Sequence, residues 1–111
     1  MALLRLVNCS NPLPEWARPK LPAAVHALAN RGHELDCAEV LGLEASWRWC
    51  PQLRARMLAE AFADDAVDAV FDVSGGDLAN EALPHVDWDA VAAHPKPYFG
   101  FSDNSCIVNS I

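Results

Sequence analysis

What most limits the folds open to this chain is an alternation. Short apolar runs, each ending abruptly in a polar or glycine-bearing break, are separated by segments of helical periodicity. ALLRLVN ends at Cys9-Ser10-Asn11-Pro12, VDAVFDV at Ser74-Gly75-Gly76-Asp77, and KPYFGF at Ser102-Asp103-Asn104. Uninterrupted apolar runs of this length suit strands covered on both faces, and the breaks hold the residue types that turns require. HELDCAEV supplies a second strand with weaker alternation, and GLEASWRWC an irregular connection with two tryptophans.

Helices fill the gaps. Leu21, Val25, Leu28 and Ala29 recur at helical spacing in a segment that starts at Glu15 or Pro22, runs to Asn30 and is stopped by Gly32. Pro51 suits a first helical position, and Leu53, Met57, Leu58, Ala61 and Phe62 then form one apolar stripe before Asp64-Asp65. Short helices are expected at 79–83 and 87–93, and another from Ser102 onward. Strands alternating with helices of this length require right-handed crossovers. The predicted class is α/β: a mostly parallel sheet of about four strands with helices on both faces. In such sheets functional loops lie beyond the carboxyl ends of the strands, which would gather CSNP, the Gly75-Gly76 loop and GFSDNS on one edge.

The 111 residues, 52% of them apolar, suffice for one packed core and not for two, so residues 1–111 are read as a single domain. Ile107, Val108 and Ile111 belong to a helix with no stop signal, which predicts that the chain is cut within an element. Apolar surface left uncovered there favours a homo-oligomer. The net charge of -7 is spread along the chain and argues against nucleic acid as a partner. No apolar run reaches the roughly 18 residues of a membrane span, and MALLRLVNCS lacks a signal peptide's form, so a soluble, cytoplasmic protein without a membrane partner is expected. Cys9, Cys37, Cys50 and Cys106 lie too far apart for a C-x-x-C pair and are read as free thiols; no metal and no cofactor are expected.

A serine hydroxyl is a poor nucleophile until a base takes its proton and donors stabilise the oxyanion it creates. A tight strand-to-helix turn helps, because it lifts the serine clear of the sheet and aims the next backbone N–H at the same point. Ser102, with Gly100 before it and Asp103 after it, fits such a turn, although Asn104 replaces the second glycine of the hydrolase pattern. The same residues also read as a plain helix cap. Likewise Gly75-Gly76 reads as an ordinary turn with Asp77 or Asn80 capping a helix, or as a source of backbone donors; an oxyanion site between Gly76 and Asp103 is sterically open. His26, His33, His85 and His94 have no evident reason to approach Ser102, and Trp16, Trp47, Trp49 and Trp88 read as core and lid packing.

Residues 67–111 resemble the amino-terminal half of the LD-carboxypeptidase family, which includes the microcin C immunity peptidases. The resemblance rests on Gly75-Gly76-Asp77 with Asn80 and Glu81, on Leu83-Pro84, Asp87 and Pro95-Lys96, and on Gly100-Phe101-Ser102-Asp103. It is looser over 1–66, where LLRLVNCSNP and PQLRARMLAEAFAD are similar to the family's first strand and loop and to the helix before the glycine loop. It implies a flavodoxin-like domain, Ser102 as the catalytic nucleophile, an oxyanion hole from backbone N–H groups of Gly76 and Asp103, and substrate contacts at Gly75, Asp77 and Asn80. Phe101 and Ser105 stand where tyrosine and threonine are common. The family's glutamate and histidine lie in a carboxyl-terminal domain absent from this chain, and losing triad members costs orders of magnitude in rate. The implied activity is hydrolysis of an L,D-amide bond in murein tetrapeptide or a related peptide conjugate, with this chain inactive alone. The alternative is a non-catalytic α/β fragment or small-ligand binding module.

Overall fold

The computed structural model describes residues 1–38, 40, 50–100 and 102–111. The connection with Trp47 and Trp49, and Phe101, lie outside the described residues. Strand β1 (Leu3–Val7) leads through a 3-10 turn (Arg18–Lys20) into α1 (Leu21–Ala29) and β2 (Glu34–Asp36). Then follow α2 (Pro51–Ala63), β3 (Ala69–Asp72), α3 (Ala79–Ala82), a 3-10 turn (Leu83–His85), α4 (Trp88–Ala93) and β4 (Tyr98–Phe99). A last 3-10 turn (Ser102–Asn104) opens α5 (Ser105–Ser110).

The four strands form one sheet in the order β2-β1-β3-β4, every pairing parallel. Leu4 lies opposite both Leu35 and Ala69, Val7 opposite Asp72, and Phe71 opposite Phe99. Because the chain moves one way from β1 to β2 and the other way from β2 to β3, right-handed crossovers put α1 on one face and α2 and α4 on the other. The packing agrees: α1 lies on β2, and α2 lies on β1 and against α4. The order reverses between β1 and β3, and the loops after those two strands flank the crevice that such a reversal creates.

Leu6, Val7, Leu58, Phe62, Val70 and Ile107 are buried at the centre, each leucine- or phenylalanine-sized side chain contributing about 1.5–3 kcal/mol. Pro51 occupies the first turn of α2, where a missing N–H costs nothing. Lys96 closes the other end, its Nζ donating to the carbonyls of Ala61 at 3.3 Å, Asp64 at 2.8 Å and Val67 at 2.9 Å. At the amino-terminal edge Arg5 bridges Asp36 at 3.1 Å and Asp64 at 2.8 Å.

Three expectations are corrected. The second strand stops at Asp36, because the Asp36 carboxylate accepts the Ala38 N–H at 3.1 Å and turns the chain; Ala38 and Val40 are helical. In α1 only Leu21 is buried and Leu28 half-buried, while Val25 and Ala29 are exposed, since the helix meets the sheet at its β2 edge. In α2 the buried position next to Leu53 belongs to Arg54, fully enclosed, and Leu53 is only half-buried.

Candidate active site

The loops after β1, β3 and β4 meet at the carboxyl edge of the sheet. At the third, Ser102 has φ of 59°, the one positive φ at a non-glycine among the described residues. A side chain there is strained by about 1–2 kcal/mol, and such strain is held only where surrounding contacts impose it. Helix-capping serines have extended backbone, and Asn104, not Ser102, is the residue that precedes α5. Ser102 is exposed at the start of the 3-10 turn that leads into α5.

The following residues fasten the turn. The Asp103 carboxylate accepts the Ala79 N–H at 2.8 Å and, through a very short bond, the Ser10 hydroxyl. It thereby takes the place of a side-chain cap on α3, whose N-cap is Leu78; neither Asp77 nor Asn80 caps it. Asn104 is fully buried, and its Nδ2 donates to the Ser74 carbonyl at 2.6 Å. A glycine at 104 could not make this bond, which accounts for the departure from the hydrolase pattern. The elbow is thus tied to both ends of the glycine loop.

Within that loop Gly76 has φ of 128°. A methyl there would lie 2.6 Å from Asn11 Nδ2 and closer still to the rest of that side chain, whose Oδ1 accepts the Asp77 N–H at 2.9 Å. Gly75 meets nothing within 4 Å. Gly75, Gly76, Asp77 and Asn80 are all exposed, so the loop presents itself to solvent beside the elbow. Gly100 is needed for another reason: the Tyr98 ring folds back over it, 2.9 Å from where a methyl would sit.

That ring reaches Asp72, a nearly buried carboxylate at the end of β3 that the sequence reading passed over. Its Oδ1 accepts the N–H of Ser74 at 2.9 Å and the Ser74 hydroxyl at 2.5 Å. Its Oδ2 accepts the N–H of Cys9 at 3.1 Å and the Tyr98 hydroxyl at 2.9 Å. Burial pushes the carboxyl pKa up, and these donors oppose the rise without cancelling it. Burial likewise raises the Cys9 thiol and the Tyr98 phenol, with the Asp72 charge adding to both. Ser74 Oγ also accepts the Ser10 N–H at 2.9 Å. Arg54 completes the frame, donating from Nε to the Cys9 carbonyl at 3.0 Å and from Nη2 to that of Leu78 at 3.1 Å. The available signal for Asp72 was a charge inside an apolar run at a strand end; for Arg54 and Asn104 the local pattern held none.

Among the described residues no histidine hydrogen-bonds Ser102. His33 accepts the Ala2 N–H at 3.1 Å and His94 lies 3.3 Å from Asp65, both at the opposite end of the strands. His26 and His85 sit in α1 and the turn after α3. Beside the glycine loop, Pro12, Leu13, Leu21 and Val73 wall a cavity of about 610 Å³ bordered by Ser74 and Gly75. At its rim the Lys20 ammonium stands 4.8 Å above the Trp16 ring, which is 70% exposed and lies outside the core. Trp88 is partly buried and donates to the Leu83 carbonyl at 3.2 Å.

The family model described as the LD-carboxypeptidase N-terminal domain matches residues 4–111. The microcin C7 self-immunity protein of Escherichia coli is 27% identical over 105 residues, 94% of this chain and 30% of its own length. A solved structure of a microcin C7 self-immunity protein with aspartyl sulfamoyl adenosine superposes with a TM-score of 0.83 at 25% identity, covering 96% of this chain and 32% of that one. A related protein from Bacillus anthracis gives 0.83 at 24% identity, over 96% of this chain and 32% of its own. The chain spans about a third or less of the length of the curated relatives it matches.

Proposed function

This chain belongs to the LD-carboxypeptidase N-terminal domain family, and from that premise we propose that it is the nucleophile-bearing domain of a serine carboxypeptidase, with Ser102 attacking an amide carbonyl. The observation that carries the reading is the positive φ of Ser102 on a turn bonded to the glycine loop. Strain at an exposed serine has no use in packing, whereas a strained turn between strand and helix is the conformation that lifts a nucleophile clear of a sheet. In this reading the N–H groups of Gly76 and Asp103 receive the oxyanion, each such donor contributing about 3–4 kcal/mol to the transition state. Gly75, Asp77 and Asn80 line the path of the substrate, and the cavity beside Gly75 takes an apolar part of it.

The base is the missing component. With no histidine bonded to Ser102, the hydroxyl keeps its proton, so the chain alone is inactive and works with a carboxyl-terminal domain that supplies a glutamate and a histidine. The substrate is the L,D-amide of murein tetrapeptide or an aminoacyl conjugate; the ligand of the solved relative, aspartyl sulfamoyl adenosine, suggests the second class. Four free cysteines fit a reducing compartment, hence the cytoplasm. The stacked and exposed Phe71 and Phe99, with ring centroids 4.7 Å apart, favour self-association, and light scattering giving a clean monomer would count against it.

Hydrolysis of murein tetrapeptide and of aspartyl sulfamoyl adenosine by this chain joined to its carboxyl-terminal domain, with and without Ser102→Ala, tests the assignment. Loss of turnover in the variant is expected, and equal rates would remove Ser102 from its role. A fluorophosphonate probe on the chain alone separates the other reading: no labelling together with measurable ligand binding supports a binding module.

A further inference from the structure

The group on which the three loops converge is not the serine. Asp72 ends β3 with four donors on its two oxygens: Cys9 N–H from the β1 loop, Ser74 N–H and hydroxyl from the glycine loop, and the Tyr98 hydroxyl from β4. Two of the four are backbone N–H groups, which can only donate, and they hold one oxygen each; with the two hydroxyls turned toward the carboxylate as further donors, the set favours an anion. We propose that ionised Asp72 is a positioning residue, which holds the loops after β1 and β3 and the start of the β4 turn in one register and so sets the presentation of Ser102.

Two connections run from Asp72 to the elbow. Ser74, held at both its N–H and its hydroxyl, offers its carbonyl to Asn104 Nδ2 at 2.6 Å, and Asn104 is two residues past Ser102. Tyr98, held at its hydroxyl, lays its ring over Gly100, two residues before Ser102. Both sides of the turn are therefore fixed from one carboxylate. Burial raises the Asp72 pKa despite the four donors, so the ionised form is kept at a cost in stability. That pattern marks groups retained for function. The other titratable groups facing it are the Cys9 thiol from the β1 loop, the Tyr98 phenol from β4 and the Cys106 thiol from α5, all three with raised pKa; Arg54 of α2 holds the Cys9 carbonyl.

The inference rests on Ser102 having the proposed role, but its test reads the turn and not catalysis. Nitrogen–proton correlation spectra of the chain, followed from neutral pH into acid, report each amide. The Cys9 and Ser74 amides should titrate with one midpoint above the ordinary carboxyl range, and the Ser102 amide and Asn104 side-chain resonances should carry a component with that midpoint. The component to be read is the one that disappears in Asp72→Asn. If Asp72→Asn does not fold, Tyr98→Phe serves: removing one donor should move the shared midpoint upward. Titration confined to Cys9 and Ser74, with residues 102–104 unmoved, would overturn the inference, as would a Tyr98→Phe midpoint equal to the parent's. Failure of Ser102→Ala to abolish hydrolysis leaves these spectra unchanged, so the two ideas fail separately.

Discussion

Replacing Gly76 with alanine isolates the backbone demand of the loop beside Ser102. At φ of 128° an L-residue is strained, at a cost of about 1–3 kcal/mol. The new methyl would also lie within 2.6 Å of Asn11 Nδ2 and nearer to its Cγ and Oδ1, so Asn11 must swing away. That breaks the bond from the Asp77 N–H, worth about 1 kcal/mol. The sum is about 2–4 kcal/mol, a large part of the 5–15 kcal/mol available to a domain. At roughly 4 °C per kcal/mol for a chain of this size, Tm should fall by about 8–16 °C. Gly75→Ala is the control, because no atom lies within 4 Å of its new methyl and its φ is not positive; its effect should stay within about 0.5 kcal/mol. Urea unfolding followed by circular dichroism measures both. Equal losses in the two variants, or a Gly76→Ala loss below about 0.5 kcal/mol, would refute the reasoning.

Other substitutions have expected outcomes. Arg54→Met leaves the buried Cys9 carbonyl and the half-buried Leu78 carbonyl without this donor and should cost about 2–4 kcal/mol in urea unfolding. Lys96→Ala removes the clasp on three carbonyls at the end of α2, and a loss of about 2 kcal/mol is expected by the same measurement. The pKa of Asp72 is raised in the fold, so its contribution to stability is full below the unfolded-state value near 3.9 and is lost as pH rises through the folded value. Urea unfolding of the parent minus that of Asp72→Asn should therefore favour the parent more in acid than at neutral pH, and the opposite trend would contradict the raised direction. Asp103→Asn should loosen the start of α3 by weakening the bonds from Ala79 and Ser10, visible as faster hydrogen exchange at Ala79.

Much of the architecture can be read along the chain because it follows from periodicity. The apolar runs mark β1, β3 and β4, and Pro51 and the Asp64 break mark the ends of α2 within a residue. The convergence of three loops on one edge follows from parallel topology alone. Reading fails where a polar side chain is drawn inside by a distant partner. Arg54 looks like a solvent residue in its helix and is buried because Cys9, 45 residues away, offers a carbonyl. Asn104 looks like a poor substitute for glycine and is an anchor because Ser74, 30 residues away, needs a donor. Asp72 could have been noticed as a charge in an apolar run, but its four donors come from three segments and exist only in the fold.

The bond from Ser10 to Asp103 spans 93 positions and that from Cys9 to Asp72 spans 63. Loops that depend on such remote partners cannot take shape until the strands carrying them are laid side by side, and distant closures of this kind slow folding. During synthesis the β1 loop emerges early and waits, unsatisfied, until almost the whole segment has been made. A ribosome that pauses just before Asp103 has made every strand residue but not the carboxylate that Ser10 and the Ala79 N–H need.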